Sequence, residues 1–366
     1  MYKEAIQDAI SMHELPSQWR PDLLNEAEHV AKKKKTAKYR KDLRKLPFAT
    51  IDGEDAKDFD DAVYCVRSSN GFKLYVAIAD VSFYVEPGSK LDKEAKKRGT
   101  SIYFPETVIP MLPENLSNGI CSLRPNEDRC SMICEMSIDL DGKRKKYKFY
   151  SGLINSKARL TYNQVEKHLK KLSHIKQSIV HESIKHLYDL TNLRLKLRNE
   201  RKALEINPKE AILELSKNKE VKNIIIKKSL FAHKLVEESM LLANESAAEF
   251  MHDRLDLGVY RIHEDPDPSK LEILKKHFKI PTQIAKKSSP LEIINRCLHE
   301  AHEKKDDTGQ ILVLQTLARA EYSTNNLGHF GLQLKQYSHF TSPIRRYPDL
   351  LVHRPVSYTH LRAHET

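Results

Sequence analysis

The sequence predicts an α+β fold, and three observations carry that expectation. Strand-like alternation is concentrated in the first half of the chain, helical spacing dominates from about Tyr162, and short strands only interrupt the later part. Residues 1–30 open with YKEAIQDAI and PDLLNEAEHVA, both spaced as amphipathic helices. FKLYVAIADVSFYV (72–85) alternates and is rich in β-branched and aromatic residues, so it reads as a strand. CSMICEMSIDLDGKRKKYKFYSGLI reads as two strands around the turn Asp141-Gly142. Helices follow in VEKHLKKL, IKHLYDLTNLRLKLRNERKAL and SLFAHKLVEESMLLANESAAEFMHDRL, with AILEL (211–215) a short strand between them. Helical spacing continues through RYPDLLVHR and is expected to stop at PVSYTHLRAHET. No internal repeat is visible.

Composition narrows the class. A length of 366 residues with 40% apolar and 31% charged residues describes a globular chain with a sizeable core, of about two domains or one large one. No run approaches the roughly 18 apolar residues of a membrane span, and MYKEAIQDAI lacks a signal-peptide apolar region, so no membrane role is expected. Five cysteines (Cys65, Cys121, Cys130, Cys134 and Cys297) lack Cys-x-x-Cys spacing; they read as reduced, buried thiols of a cytoplasmic protein, without zinc. The formal charge of +12 points to a polyanionic partner, although many proteins with solvated lysine faces are equally basic. Nine bases and one acid lie between Lys32 and Lys45, which is either a solvated linker or a phosphate contact.

Against that basic background, TIDGEDAKDFDDAVY (50–64) stands out. Asp58, Asp60 and Asp61 stand at spacings of two and one, Asp52 lies six residues before Asp58, and AVYCV follows as a strand. A loop that folds back would bring Asp52 to the later three. Carboxylates that close repel one another and take up protons unless a cation relieves them. Mg²⁺ prefers one or two carboxylates together with substrate oxygens, which suits metal-assisted phosphodiester hydrolysis. An EF-hand fails, because its sixth position, counted from Asp58, is Val63 and not Gly. A phosphatase of the Asp-x-Asp-x-Thr/Val type fits poorly, with Ala62 in the last position. A solvated acidic loop remains open at this point.

Beyond the cluster, VAIADVSFYV, RGTSIYFPETVIPMLPENLSNGICSL and GHFGLQLKQYSHFTSPIRRYPDLLVHR follow in order. With TIDGEDAKDFDDAVY they resemble the catalytic (RNB) domain of the ribonuclease II/ribonuclease R family, colinearly from about Leu46 to Arg354. The resemblance implies a strand-rich N-terminal half and a helical C-terminal half around an RNA channel. It also implies magnesium-dependent, processive 3′→5′ hydrolysis of single-stranded RNA ends to nucleoside 5′-monophosphates, with no obligate protein partner.

Residue by residue, the resemblance makes Asp52, Asp58 and Asp61 metal ligands and Asp60 the residue on which catalysis depends most. Tyr103 would stack on the 3′-terminal base; a buried core tyrosine is the ordinary alternative. Arg345 would lie at the scissile phosphate, with Arg346 supporting the site or touching RNA. Glu238 would line the RNA path, against the alternative of a helical surface salt bridge. Relatives commonly carry an aromatic where this chain has Ile206, which implies a one-sided clamp on the last base. His263, His329, His339 and His353 have no metal role in this scheme, and His353 is expected to pair locally. Residues 1–45 are expected to be the tail of an upstream segment, 46–354 a C-terminally truncated catalytic domain, and 355–366 an artefact resembling a translated sequencing adapter. An inactive RNA-binding relative is the alternative from another class; the presence of all four aspartates and Arg345 weighs against it.

Overall fold

The computed structural model describes residues 2–33, 39–105, 107–206, 211–216, 221–226, 229–255 and 258–362. Two helices lead in, α1 (Tyr2–Met12) and α2 (Pro21–Ala31), as their spacing predicts. Strands β1 (Lys41–Asp42), β2 (Ala49–Asp52), β3 (Asp61–Ser68) and β4 (Gly71–Ala79) follow. The short helices α3 (Val81–Tyr84) and α4 (Lys90–Arg98) come next, then a hairpin of β5 (Ile102–Phe104) and β6 (Thr107–Ile109). Three more strands, β7 (Asp128–Ile138), β8 (Arg144–Asn155) and β9 (Ala158–Thr161), complete a seven-stranded sheet in the order β1-β8-β7-β4-β3-β2-β9. Its pairs are antiparallel except β1–β8 and β2–β9.

The later chain is mostly helical: α5 (Tyr162–Leu169), α6 (His181–Glu200), the hairpin β10 (Ala211–Leu215) and β11 (Val221–Ile226), then α7 (Phe231–Leu255). β12 (Tyr260–Ile262), α8 (Pro268–His277), α9 (Thr282–Lys287), α10 (Pro290–Glu303), α11 (Asp307–Thr316), β13 (Glu321–Ser323) and α12 (Tyr347–Arg362) end it. Two units result. One comprises residues 1–193, 209–246 and 339–366, and the other 194–208 and 247–338. Among the described residues, no helix is long and apolar enough to cross a membrane.

The central strands β4 and β7 are buried along most of their length, as strands covered on both faces must be. Leu23, Ala27 and Val30 of α2 belong to the same apolar core as Ala62, Ala77 and Ile133 of the sheet. The β7–β8 turn falls where Asp141-Gly142 predicts it. Gly142 adopts φ +82°, and a Cβ there would meet Leu193 Cβ at 2.8 Å, so only glycine fits.

Two sequence expectations need correction. The strand expected over 72–85 ends at Ala79, because Asp80 caps a helical turn: its Oδ1 accepts the Phe83 N–H at 3.2 Å. Asp80 is also buried against Arg40, at 2.7 Å. The sequence predicts that the last helix stops before Pro355, yet α12 runs through Pro355 to Arg362. Leu350, Val352, His353 and Val356 are all fully buried. That packing outweighs the hydrogen bond forfeited at proline, a loss of about 3 kcal/mol in a helix interior.

In the second unit His263 and His329 pack with ring centroids 5.0 Å apart, and each accepts a backbone N–H at Nδ1, from Gly331 and Leu332. Burial, together with the neighbouring His263, pushes His329 down to about 4. Ile206 packs on that unit's apolar core. His353 pairs locally as expected: its Nε2 lies 2.7 Å from the Phe340 carbonyl and its ring stacks on Phe340.

Candidate active site

Asp52 ends β2 and Asp61 begins β3, so the sheet itself fixes both ends of the acidic loop. Asp61 sits opposite Ile78 of β4, and the Ala79 N–H donates to the Asp60 carbonyl at 2.8 Å. The loop between is tied down from outside. Arg159 Nη2 donates to the carbonyls of Gly53 and Glu54, at 2.7 and 2.5 Å. Ser122 Oγ accepts the Phe59 N–H at 3.0 Å and donates to the Lys57 carbonyl at 2.7 Å. Leu123 N–H reaches the Phe59 carbonyl at 2.9 Å. The loop therefore folds back as the sequence reading required.

The four aspartates are not a solvated surface. Asp60 is only 5% exposed, and the other three are half-buried. Burial raises the Asp52 carboxyl above its ordinary range, against the Gly53 N–H, and the Asp58 charge adds to the rise. Burial likewise raises Asp60 well above the usual carboxylate value, with Asp58 and Asp61 adding to it and Arg345 opposing. Asp61 is pushed up to about 7, first by burial and then by the charge of Asp52. Asp52 thus shares its surroundings with Asp58 and Asp61, as a loop that folds back requires.

Asp60 has two distinct partners. Its Oδ1 accepts the Ile344 N–H at 2.9 Å, and its Oδ2 lies 3.5 Å from Arg345 Nε. The Arg345 segment is itself held in place. Ser101 N–H and Thr100 Oγ1 both donate to the Arg345 carbonyl at 2.9 Å, and Arg345 Nη2 donates to Ser342 Oγ at 3.0 Å. Arg346 forks onto both oxygens of Asp349, at 2.8 and 2.9 Å, and Asp349 also accepts the Ser342 N–H at 2.8 Å. Asn244 on α7 accepts the Phe340 N–H at 2.8 Å, anchoring the start of the same segment.

Tyr103 is 51% exposed on β5, so it is not a core tyrosine. Its hydroxyl donates to Asp58 Oδ2 at 3.0 Å, which turns a solvent-facing ring toward the acids. Glu238 is 1% exposed on α7, buried and not at the helix surface. Sequence reasoning missed Tyr162, which opens α5 and stacks on His233 with centroids 4.1 Å apart. Burial and the charges of Asp52 and Asp61 raise its hydroxyl, which places it beside the cluster. Of the lysine run, Lys33 pairs with Glu86 at 2.6 Å, while Lys34, Lys35 and Lys38 lie outside the described residues.

The donor chemistry suits a divalent cation, although the carboxylates form no closed cage. Among the described residues, no three His, Cys, Asp or Glu side chains could hold an ion by themselves. Hard oxygens with mutually raised protonation behaviour are what a small cation relieves when it takes one or two carboxylates and completes its shell with water or substrate.

Fold and site together define a member of the RNB family: the family's domain model matches residues 40–359, and the chain belongs to it. Ribonucleases of that family usually depend on a divalent metal. The chain is 41% identical to ribonuclease R of Vibrio parahaemolyticus, over 96% of its own length and 43% of the relative's. It is 43% identical to ribonuclease R of Thermotoga maritima, over 95% of this chain and 51% of that one. The structure of Mycoplasma genitalium RNase R in complex with ribose-methylated single-stranded RNA superposes with a TM-score of 0.88 at 34% identity. That match covers 96% of this chain and 56% of that one. The chain thus spans about half the length of the curated relatives it matches.

Proposed function

We propose that the chain carries the catalytic centre of a cytoplasmic ribonuclease R-type exoribonuclease, which degrades RNA 3′→5′ by hydrolysis and releases nucleoside 5′-monophosphates. The observation that carries this reading is the convergence on Asp60. One carboxylate oxygen is fixed by the Ile344 amide and the other faces Arg345, while Asp58 holds the hydroxyl of an exposed aromatic.

Asp52, Asp58 and Asp61 would line the cation's site, one or two of them binding it directly and water or substrate oxygens completing its shell, with Mg²⁺ the ion such oxygens suit. When bound, it supplies an activated water and offsets charge on the phosphate. Arg345 is 43% exposed at its side chain, so its guanidinium can reach a substrate phosphate and stabilise charge that grows in the transition state. Asp60, buried and held at both oxygens, orients Arg345 and serves as the positioned base or second-ion ligand. Tyr103 offers a ring to the terminal base; stacking ignores sequence and is worth about 1–3 kcal/mol per base.

The test is Mg²⁺-dependent release of 5′-monophosphates from single-stranded RNA. Asp60→Asn is expected to lower hydrolysis at least 10²-fold, the scale of losing a positioned catalytic group. RNA affinity should hold or rise, since one repulsive carboxylate has gone. An amide keeps an acceptor for Ile344 but turns a donor toward the Arg345 donors, so part of the loss comes from a displaced guanidinium. Near-normal hydrolysis by Asp60→Asn would remove this cluster from the chemistry. RNA binding by the parent chain without any monophosphate release would favour an inactive RNA-binding relative.

A further inference from the structure

The outer flank of the acidic loop borders an open depression of about 400 Å³. Lys57 and Phe59 come from the loop, Arg124, Pro125 and Glu127 from the segment after Cys121, and Arg159 from β9. That volume lies in the range of small-ligand sites. Three cations and one acid line it, and the acid is already engaged: Glu127 pairs with Arg129 at 2.6 Å. Lys57 and Arg124 are both exposed, and among the described residues neither side chain has a hydrogen-bonding or ionic partner. Arg159 spends one nitrogen on the Gly53 and Glu54 carbonyls and lies over the Phe59 ring at 5.6 Å, leaving its remaining donors available.

We propose that this depression is a second nucleotide site, which takes the phosphate of a single nucleotide unit on Lys57, Arg124 and Arg159 and its apolar part along Pro125. The cations are better explained by a phosphate than by ordinary surface solvation, because two unpaired ones flank a third that is fixed in position. The position matters as much as the charge. The same loop carries Asp58 and Asp60, and it is held by Arg159 of one wall and by Ser122, two residues before Arg124 of the other. A nucleotide bridging those walls would stiffen the loop that presents the acids. The ligand class rests on reading the chain as a ribonuclease; the cationic depression does not. One phosphate chemistry has two sources here, a released monophosphate or a passing RNA strand.

The experiment measures binding without turnover. The full chain, held in EDTA, is titrated calorimetrically with adenosine 5′-monophosphate, adenosine and inorganic phosphate. The combined variant Lys57→Ala, Arg124→Ala is expected to weaken monophosphate binding at least tenfold, while Asp60→Asn leaves it unchanged and adenosine binds poorly throughout. The variant Lys57→Arg, Arg124→Lys should restore binding, which separates charge from fold. Binding that survives the double alanine change, or that is lost only in Asp60→Asn, would overturn the site. Inorganic phosphate binding as tightly as the nucleotide would overturn the nucleotide assignment. A single-stranded oligonucleotide that displaces the monophosphate from the parent chain identifies the strand as the natural source. Simultaneous binding of both identifies the released product. Because no hydrolysis is read, failure of the exoribonuclease reading would leave these outcomes interpretable.

Discussion

The acidic loop and the segment that faces it, residues 341–354, treat buried charge in opposite ways. In the loop, burial raises the carboxyls of Asp52, Asp60 and Asp61, and neighbouring acids add to it: Asp58 at Asp52, Asp58 and Asp61 at Asp60, and Asp52 at Asp61. In the facing segment, buried charges are matched: Arg346 forks onto Asp349, and Arg354 reaches Asp92 at 2.5 Å. Both regions lie in one folding unit, so the difference is not one of local stability alone. Raised carboxyls are tolerated at the site proposed to bind a cation and a phosphate, and the surrounding framework is ion-paired so that it does not yield.

The comparison breaks most visibly at Asp349. Removing a partner from a buried pair typically costs about 3–5 kcal/mol, because the remaining charge is left without compensation. Asp349→Ala also orphans the Ser342 N–H, so a loss of about 3 kcal/mol or more is expected from urea unfolding midpoints. Asp61→Asn, which removes one charge from the loop and keeps the side-chain shape, should leave stability unchanged or raise it in metal-free buffer. Removing a repelled charge relieves the folded state. If the two substitutions destabilised equally, the contrast between matched and unmatched regions would be wrong.

A smaller effect sharpens the role proposed for Tyr103. Tyr103→Ala should weaken binding of the RNA 3′ end by about 1–3 kcal/mol and change the length of the final product, while cleavage continues. Tyr103→Phe keeps the ring and loses only the bond to Asp58, so its end products should match those of the parent. End-product lengths on a denaturing gel decide the matter. If Tyr103→Ala gave parental end products, the ring would have no part in holding the terminus.

How much of this was legible beforehand depends on where the partners lie in the chain. Five aspartates within ten residues announce themselves, and AVYCV marks the strand into which their loop runs. The tethers did not, because they join side chains to backbone groups far away: Ser122 to Phe59, Arg159 to Gly53, Asn244 to Phe340. No local spacing encodes such a bond. Asp349 was within reach, since Arg346 and Asp349 stand three residues apart at the start of a helix, a spacing that favours ion pairs. Tyr103 and Arg345 entered only through the family resemblance. Alternation alone carries the expected strand at 72–85 past Asp80, although aspartate is a preferred helix cap.

The smallest expected effect concerns pH, at the pair that ties α12 to α4. Burial acts to raise the Asp92 carboxyl, but hydrogen bonds from Arg354, Gly88 and Tyr347 outweigh it and hold its pKa below the ordinary 3.8. A carboxyl depressed by folding binds its proton more readily in the unfolded chain. Its contribution is therefore complete above the unfolded value and fades as pH falls through the folded one. Asp92→Asn should be less stable than the parent at pH 7, and the two unfolding curves should converge only below about pH 3.8. The residual gap at low pH measures the shape and hydrogen-bonding part of the interaction, since the charge is gone from both proteins. A gap of constant size from pH 7 to pH 3 would mean that the Arg354–Asp92 contact contributes no charge-dependent stability. The matched framework would then owe its rigidity to packing around Leu350 and Val352 alone.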